Sequence, residues 1–283
     1  MAFIRGGSLF SKSSAAFGGT QVNLRSALIN LVPPKVRLHK RALKAWHSGE
    51  RELRLLSMLC RPDANAIDVG ANCGIFAFYL RKYSARVFAI EPNSEWASFI
   101  RSALPDVCVI EAAASDHMGE ALLRIPVEAG TEGMATVEPA NPLHRVASRS
   151  LAVPMMTLDS LNLSNVGFIK IDVEGHELAA LQGAVSTIER DHPNLLIEAE
   201  ERHRPNAVRS VADFLLVRGY KGLFLTEGSV IPIERFDPSV HQNVANLRGG
   251  AHPLYVNNFV FVHRADEVER LLAFNKNAGA RTN

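Results

Sequence analysis

A chain of 283 residues, 47% hydrophobic and 21% charged, has the make-up of an ordinary folded protein and the length for one large α/β domain. Its formal net charge of +2 is too small to point to nucleic acid, and its three cysteines (Cys60, Cys73, Cys108) form no CxxC pair, which excludes a disulfide framework and a zinc ribbon. They fit a reducing compartment, as small buried hydrophobes. No apolar run approaches the roughly 18 residues of a membrane helix, and the opening stretch MAFIRGGSLFSKSSAAFGG lacks the apolar core of a secretory signal, so the cytoplasm is the expected location.

Residues 1–45 are expected to form an N-terminal arm and a basic segment. The first 20 are rich in Gly, Ser and Ala and read as a poorly ordered arm. The basic stretch, Lys35, Arg37, His39, Lys40, Arg41 and Lys44, reads either as a contact for a phosphate or membrane surface or as a solvated helix face. Residues 46–265 carry the main domain, and 266–283 a C-terminal helix or tail. Within the domain, short apolar runs at 66–69, 87–90, 107–110, 167–171 and 195–197 alternate with amphipathic segments, which predicts βα units and a mostly parallel sheet. Trp96, Phe99, Ile100, Ala103 and Leu104 share one helical face, and Leu178, Leu181, Val185 and Ile188 share another. Val208, Val211, Ala212 and Leu215 define a third helix, which Gly219 ends. Residues 117–156 hold several turn residues and short β-like pieces, and read as an inserted hairpin or loop. Segments 222–225 and 258–262 read as an antiparallel pair closing one edge of the sheet.

Four segments carry chemistry. Asp68-Val69-Gly70-Ala71-Asn72-Cys73-Gly74 follows a strand and opens a helix, a turn at the carboxyl edge where such sheets bind ligands. Asn72 and Ile75 stand where a dinucleotide fingerprint needs glycines, so the pyrophosphate cradle is missing. Glu91, in Ile90-Glu91-Pro92-Asn93, ends the next strand about 20 residues on, where a carboxylate can accept both hydroxyls of a ribose. Ser115 and Asp116 follow the third strand as a short polar pair able to meet an adenine edge, and both are also ordinary turn residues. The most distinctive segment is Lys170-Ile171-Asp172-Val173-Glu174-Gly175-His176-Glu177. Alternation puts Lys170, Asp172 and Glu174 on one face of a central strand, where unpaired charges would be costly.

The set DVGANCG, IEP, AAASD, MTLDSL, KIDVEGHELAALQGA and LLIEAE resembles the FkbM-type methyltransferases, over about residues 50–262. The resemblance implies a doubly wound, mostly parallel seven-stranded sheet of the Rossmann-like methyltransferase fold, with an antiparallel last strand and S-adenosylmethionine across the carboxyl ends of the first strands. It also implies an oxygen acceptor, a small molecule or glycan such as a sugar or secondary metabolite. Asp68, Gly70, Asn72 and Gly74 would surround the methionine half. Glu91, with Asn93 beside it, would hold the ribose, and Ser115 with Asp116 the adenine. Cys73 departs from the family, which is aliphatic there.

Asp172 is the first candidate for a catalytic base, with Glu174 beside it and Glu198 and His203 as the others. Asp172 with Glu198 could instead hold a magnesium-type ion, but a divalent metal is not favoured, because Glu198 can pair with Lys170 or a helix N-terminus. His176 and His203 read first as helix and loop surface residues. Loops 117–156 and 226–256 are expected to set the acceptor, and their His144, Arg145, Arg149, His241 and Asn243 suit a polar or anionic one or plain solvent. A nucleotide-dependent oxidoreductase would need the missing glycines and a Tyr-x-x-x-Lys. A non-catalytic S-adenosylmethionine-binding protein is the alternative from another class. No nucleic-acid partner is expected, and nothing in these segments sets an oligomeric state.

Overall fold

Short apolar runs rich in β-branched and aromatic residues, bounded by turns, favour a pleated sheet over a helix. The computed structural model describes residues 32–48, 51–128, 131–143, 146–226, 229–249 and 255–278; the expected arm at 1–20, His144 and Arg145 lie outside them. The strands are β1 (Asn65–Val69), β2 (Arg86–Ile90), β3 (Cys108–Ile110), β4 (Ala113–Ala114), β5 (Gly119–Pro126), β6 (Ser148–Met156), β7 (Val166–Ile171), β8 (Asn194–Glu198), β9 (Lys221–Thr226), β10 (Ser229–Pro232) and β11 (Asn258–Val262). The main sheet runs β10-β9-β11-β8-β7-β1-β2-β3. Strands β3, β2, β1, β7 and β8 are parallel, and β11 lies antiparallel between β8 and β9.

The expected doubly wound, mostly parallel architecture is present, with eight strands in the main sheet among the described residues rather than seven. The additional strand is β10, which folds back antiparallel on β9. That hairpin also moves the edge: β9 and β11 do pair antiparallel as expected, but β10 closes the sheet beyond them. Residues 117–156 form the expected insertion, a long β5–β6 hairpin that joins β4 in a separate three-stranded sheet.

The principal helices are α1 (Pro34–Ser48), α2 (Ile75–Leu80), α3 (Ser94–Ala103), α4 (Glu177–Gln182), α5 (Val185–Asp191), α6 (Ala207–Leu216) and α7 (Ala265–Ala278). Alternation along the strands splits the apolar side chains between two layers. Ile67, Ile169, Leu195 and Phe259 pack with residues of α4, α5 and α6 such as Leu181, Ile188 and Leu215. Ala66, Phe168, Leu196 and Val260 pack on the other face with Leu38 of α1, Leu80 of α2, Ile100 of α3 and Leu271 of α7. The basic helix α1 therefore belongs to the folded unit, which extends from Pro34. No helix among the described residues is long and apolar enough to cross a membrane.

Two expectations fail for local reasons. The face shared by Leu178, Leu181, Val185 and Ile188 belongs to two helices, α4 and α5. Gly183 sits so close to the third-strand region that a Cβ on it would lie 1.9 Å from the Ser115 carbonyl oxygen, and its own carbonyl accepts from Asp159 N at 2.9 Å. The Asp159 carboxylate then accepts from Ser186 N at 2.9 Å and Thr187 N at 2.8 Å, so a new helix starts there with its first donors satisfied. Cys60 and Cys73 are buried as expected, but Cys108 is exposed, because β3 is the outermost strand on its side of the sheet.

Candidate cofactor and catalytic site

Strand order reverses at β1, whose neighbours are β2 and β7, and the crevice outside such a reversal is where doubly wound sheets bind ligands. Gly70, just past β1, has φ +75°, and a Cβ on it would lie 1.8 Å from the Asp172 carbonyl oxygen. Only glycine lets the turn after β1 press on the end of β7 in this way. Asp172 N in turn donates to Val69 O at 3.0 Å. Asp68 is buried; its carboxylate accepts from Ala77 N at 2.8 Å and so caps the first turn of α2. Burial pushes Asp68 up to about 7, against the opposing pull of Lys170.

Glu91 is also buried, and its two oxygens accept from Asn72 N at 2.6 Å and Asn93 N at 2.8 Å. Burial raises it to about 7, and the two backbone donors resist that rise. The Asn93 side chain accepts from Glu95 N at 3.0 Å and caps α3. Glu91 therefore ties the glycine turn to the entry of α3.

These turns open on a cleft at the carboxyl edge of the sheet. Gly70, Asn72, Glu91 and Asp172 line it, so the structure brings together four of the residues singled out in the sequence. The rest of the wall includes residues outside the expected site set: Trp96, Ala113, Ala114 and, from the insertion, Gly133, Ala135 and Val137. The sequence marks Trp96 only as a helical-face position, and Gly133-Met134-Ala135-Thr136 only as a match to the Gly-rich hairpin of the family it resembles. Asp68, Gly74 and Asn93 stand behind the turns rather than in the lining. Ser115 is fully buried beyond Ala114, its hydroxyl 3.1 Å from Asp116 Oδ1 and 3.0 Å from His176 Nε2.

The acidic segment after β7 leaves the strand at Ile171, which overturns the expected alternation. Glu174 and Gly175 take left-handed backbone conformations, φ 54° and 106°, and point the chain into α4. Lys170 is buried, its Nζ 3.4 Å from Asp172 Oδ2 and 5.1 Å from the centre of the Phe76 ring. Asp172 keeps its side chain 33% exposed, enough to reach the cleft. Glu177 Oε1 accepts from Gly175 N at 2.7 Å, and burial raises its carboxyl to about 7.

The insertion holds this turn from outside. Thr136 Oγ1 and Asn141 Nδ2 both donate to Glu174 O, at 2.8 and 2.7 Å, and His176 Nδ1 lies 3.2 Å from Glu138 Oε2. His176 and His203 are accordingly enclosed rather than on the surface: their side chains are 15% and 3% exposed, and His203 Nε2 lies 3.1 Å from Glu174 Oε2. Burial, and then the neighbouring Asp172, pushes both Glu174 and Glu198 well above the usual carboxylate range. Glu198 Oε1 accepts from Asn257 Nδ2 at 2.6 Å. Nearby Glu200 has the opposite balance: burial pushes it up, but hydrogen bonds from Arg202 and Tyr255 and the Arg202 charge hold it below its ordinary value. Of the loop residues expected to meet an acceptor, Arg149 pairs with Glu95 at 2.8 Å, His241 stacks on Phe236, and Asn243 accepts from Ala245 N. Among the described residues no group of three His, Cys, Asp or Glu side chains is placed to hold a metal.

A glycine turn, an acidic second-strand end and an apolar wall at the reversal point of a doubly wound sheet, with no dinucleotide glycines, define a methyltransferase-type cofactor fold. A model of the methyltransferase FkbM domain matches residues 68–221, more than half of the chain, and the protein belongs to that family. Similar solved structures include methyltransferase FkbM from Methylobacillus flagellatus KT, with 16% identity over 83% of this chain and 60% of that one, TM-score 0.45. Precorrin-6y C5,15-methyltransferase from Geobacter metallireducens GS-15 has 15% identity over 78% of this chain and 92% of that one, TM-score 0.43. An O-methyltransferase from Bacillus cereus in complex with SAH has 14% identity over 85% and 96%, TM-score 0.42. The present chain thus spans 60% of the length of the Methylobacillus protein. No curated protein matches the sequence.

Proposed function

We propose that the chain is an S-adenosylmethionine-dependent O-methyltransferase whose acceptor is a hydroxyl on a sugar, glycan or secondary metabolite. The observation that carries this reading is the meeting of Gly70, Glu91 and Asp172 in one cleft at the strand-order reversal. The residues fit the cofactor. Each Glu91 oxygen accepts one backbone N–H and keeps acceptor capacity for a ribose hydroxyl. Ala113, Ala114 and Leu123 offer an apolar wall for a base. In this reading Asp68, Gly74 and Asn93 shape the turns that carry Gly70 and Glu91, and Ser115 with Asp116 backs the alanine wall.

Bound S-adenosylmethionine supplies an electrophilic methyl group on a sulfonium. The chain's own task is alignment, worth about 7–11 kcal/mol in well-oriented systems, and removal of the acceptor proton. Asp172 lines the cleft, and Lys170 Nζ lies 3.4 Å from its Oδ2. The Glu174–His203 pair is more enclosed, and Glu198, already bonded to Asn257, stands further along the same edge.

The test is transfer of labelled methyl from S-adenosylmethionine to a panel of hydroxyl-bearing sugars and metabolites. Asp172→Asn should lower kcat by about 10²–10⁴-fold with cofactor affinity nearly unchanged. An unchanged kcat removes Asp172 as the base. Cofactor binding with no acceptor labelled would favour a non-catalytic binding protein of the same fold.

A further inference from the structure

We infer that the outer face of α1 docks on an anionic lipid surface. The first 49 residues contain eight Lys and Arg and no Asp or Glu, whereas the whole chain has a net charge of only +2, so the remainder is net negative. Such asymmetry points to a charged surface as partner. α1 alone carries Lys35, Arg37, Lys40, Arg41 and Lys44 and no acidic residue among its 15.

The inner face of this helix is committed to the fold. Leu38, Ala42 and Ala45 are buried, and the guanidinium groups of Arg37 and Arg41 lie 5.1 Å from the ring centres of Phe99 and Trp96. The outer face has a different character. Val36 and Leu43, about two turns apart on one stripe, are 43% and 45% exposed. Exposed Lys40 lies within that stripe, and exposed Lys35 and Lys44 lie on either side of it. Aliphatic side chains flanked by lysines suit an interface in which the former enter the headgroup boundary and the latter meet lipid phosphates. A nucleic-acid backbone would use the lysines and leave Val36 and Leu43 in water. A merely solvated face would be expected to mix both signs of charge. Because Arg41 lies over Trp96, which lines the cleft, docking would hold that side of the cleft about one helix diameter, roughly 10–12 Å, from the lipid.

The test is flotation of the full chain with vesicles of phosphatidylcholine alone and of phosphatidylcholine mixed with phosphatidylglycerol; it requires no methyl transfer and so stands apart from the proposed activity. Binding to the mixed vesicles only, weakened by added salt, is expected. Neutralising the lysines together (Lys35→Gln, Lys40→Gln, Lys44→Gln) should lower the partition constant about a hundredfold. Val36→Ser with Leu43→Ser should lower it about tenfold. Arg209→Gln, at an exposed position on α6, should leave it unchanged, and thermal melts establish that every variant is folded. Failure of the wild type to bind the mixed vesicles overturns the proposal, as does binding that survives lysine neutralisation. If the Val36/Leu43 variant binds as well as the wild type and single-stranded RNA displaces both, the face is a nucleic-acid contact instead.

Discussion

The hold of the insertion on the acidic turn can be broken one bond at a time. Thr136 is buried, donates to Glu174 O at 2.8 Å and accepts from Glu138 N at 3.0 Å. Thr136→Val keeps the volume and removes both bonds. The Glu138 N–H loses its acceptor, while Glu174 O keeps Asn141 Nδ2 at 2.7 Å. One lost hydrogen bond and one stranded, partly buried donor together cost about 2 kcal/mol. In a domain of this size that lowers Tm by roughly 4–8 °C. Asn141→Ala alone likewise leaves the Glu174 carbonyl with one donor. The double variant strips it of both and leaves the enclosed carbonyl unsatisfied, a cost of about 1–3 kcal/mol that neither single variant incurs. The combined loss should therefore exceed the sum of the single losses by about 1 kcal/mol or more. Urea unfolding of the four proteins measures this coupling, and initial methyl-transfer rates should fall in parallel as Asp172 and Glu174 move. Additivity within about 0.3–0.5 kcal/mol would refute the shared-carbonyl clamp.

Gly183→Ala would place a methyl group 1.9 Å from a backbone oxygen that cannot turn aside, and should cost about 3 kcal/mol or more in the same assay; a near-neutral effect would mean that the Ser115 strand end does not press on the α4–α5 break. Stability should also fall as pH rises from about 5 to 8. Asp68, Glu91 and Glu177 are raised by burial to about 7 from ordinary values of 3.8, 4.5 and 4.5, so the folded state binds more protons across that window and their contribution is lost as each ionises. His263, lowered by burial, works the other way in the lower part of the window. A thermal midpoint that is flat or rises between pH 6.5 and 8 would contradict the assignment.

The parallel strands were legible because each is a short apolar run ending in a turn, and the switch-point residues Gly70, Glu91 and Asp172 were legible because they sit at those ends. What stayed hidden depends on chain segments far apart in sequence. The α4–α5 break looks like one helix until Ser115 O is brought against Gly183 and Asp159 supplies new caps. β10 has only two apolar residues and ends in Pro232, too little signal for a strand without β9 beside it. The alternation of Lys170, Asp172 and Glu174 assumed a strand that continues to Glu174, whereas it stops at Ile171; the following Gly175 was the available warning. Trp96 and the hairpin residues Gly133, Ala135 and Val137 enter the cleft only through tertiary packing, and the enclosure of His176 and His203 likewise depends on carboxylate partners on other elements.

The most direct measurement is calorimetric titration of the full chain with S-adenosylmethionine, with NAD as the control and Glu91→Ala as the comparison. Saturable binding of S-adenosylmethionine alone, lost in a Glu91→Ala protein that still melts cooperatively, is the predicted result. Equal binding of NAD, or affinity for S-adenosylmethionine that survives Glu91→Ala, would contradict the placement of the cofactor in this cleft.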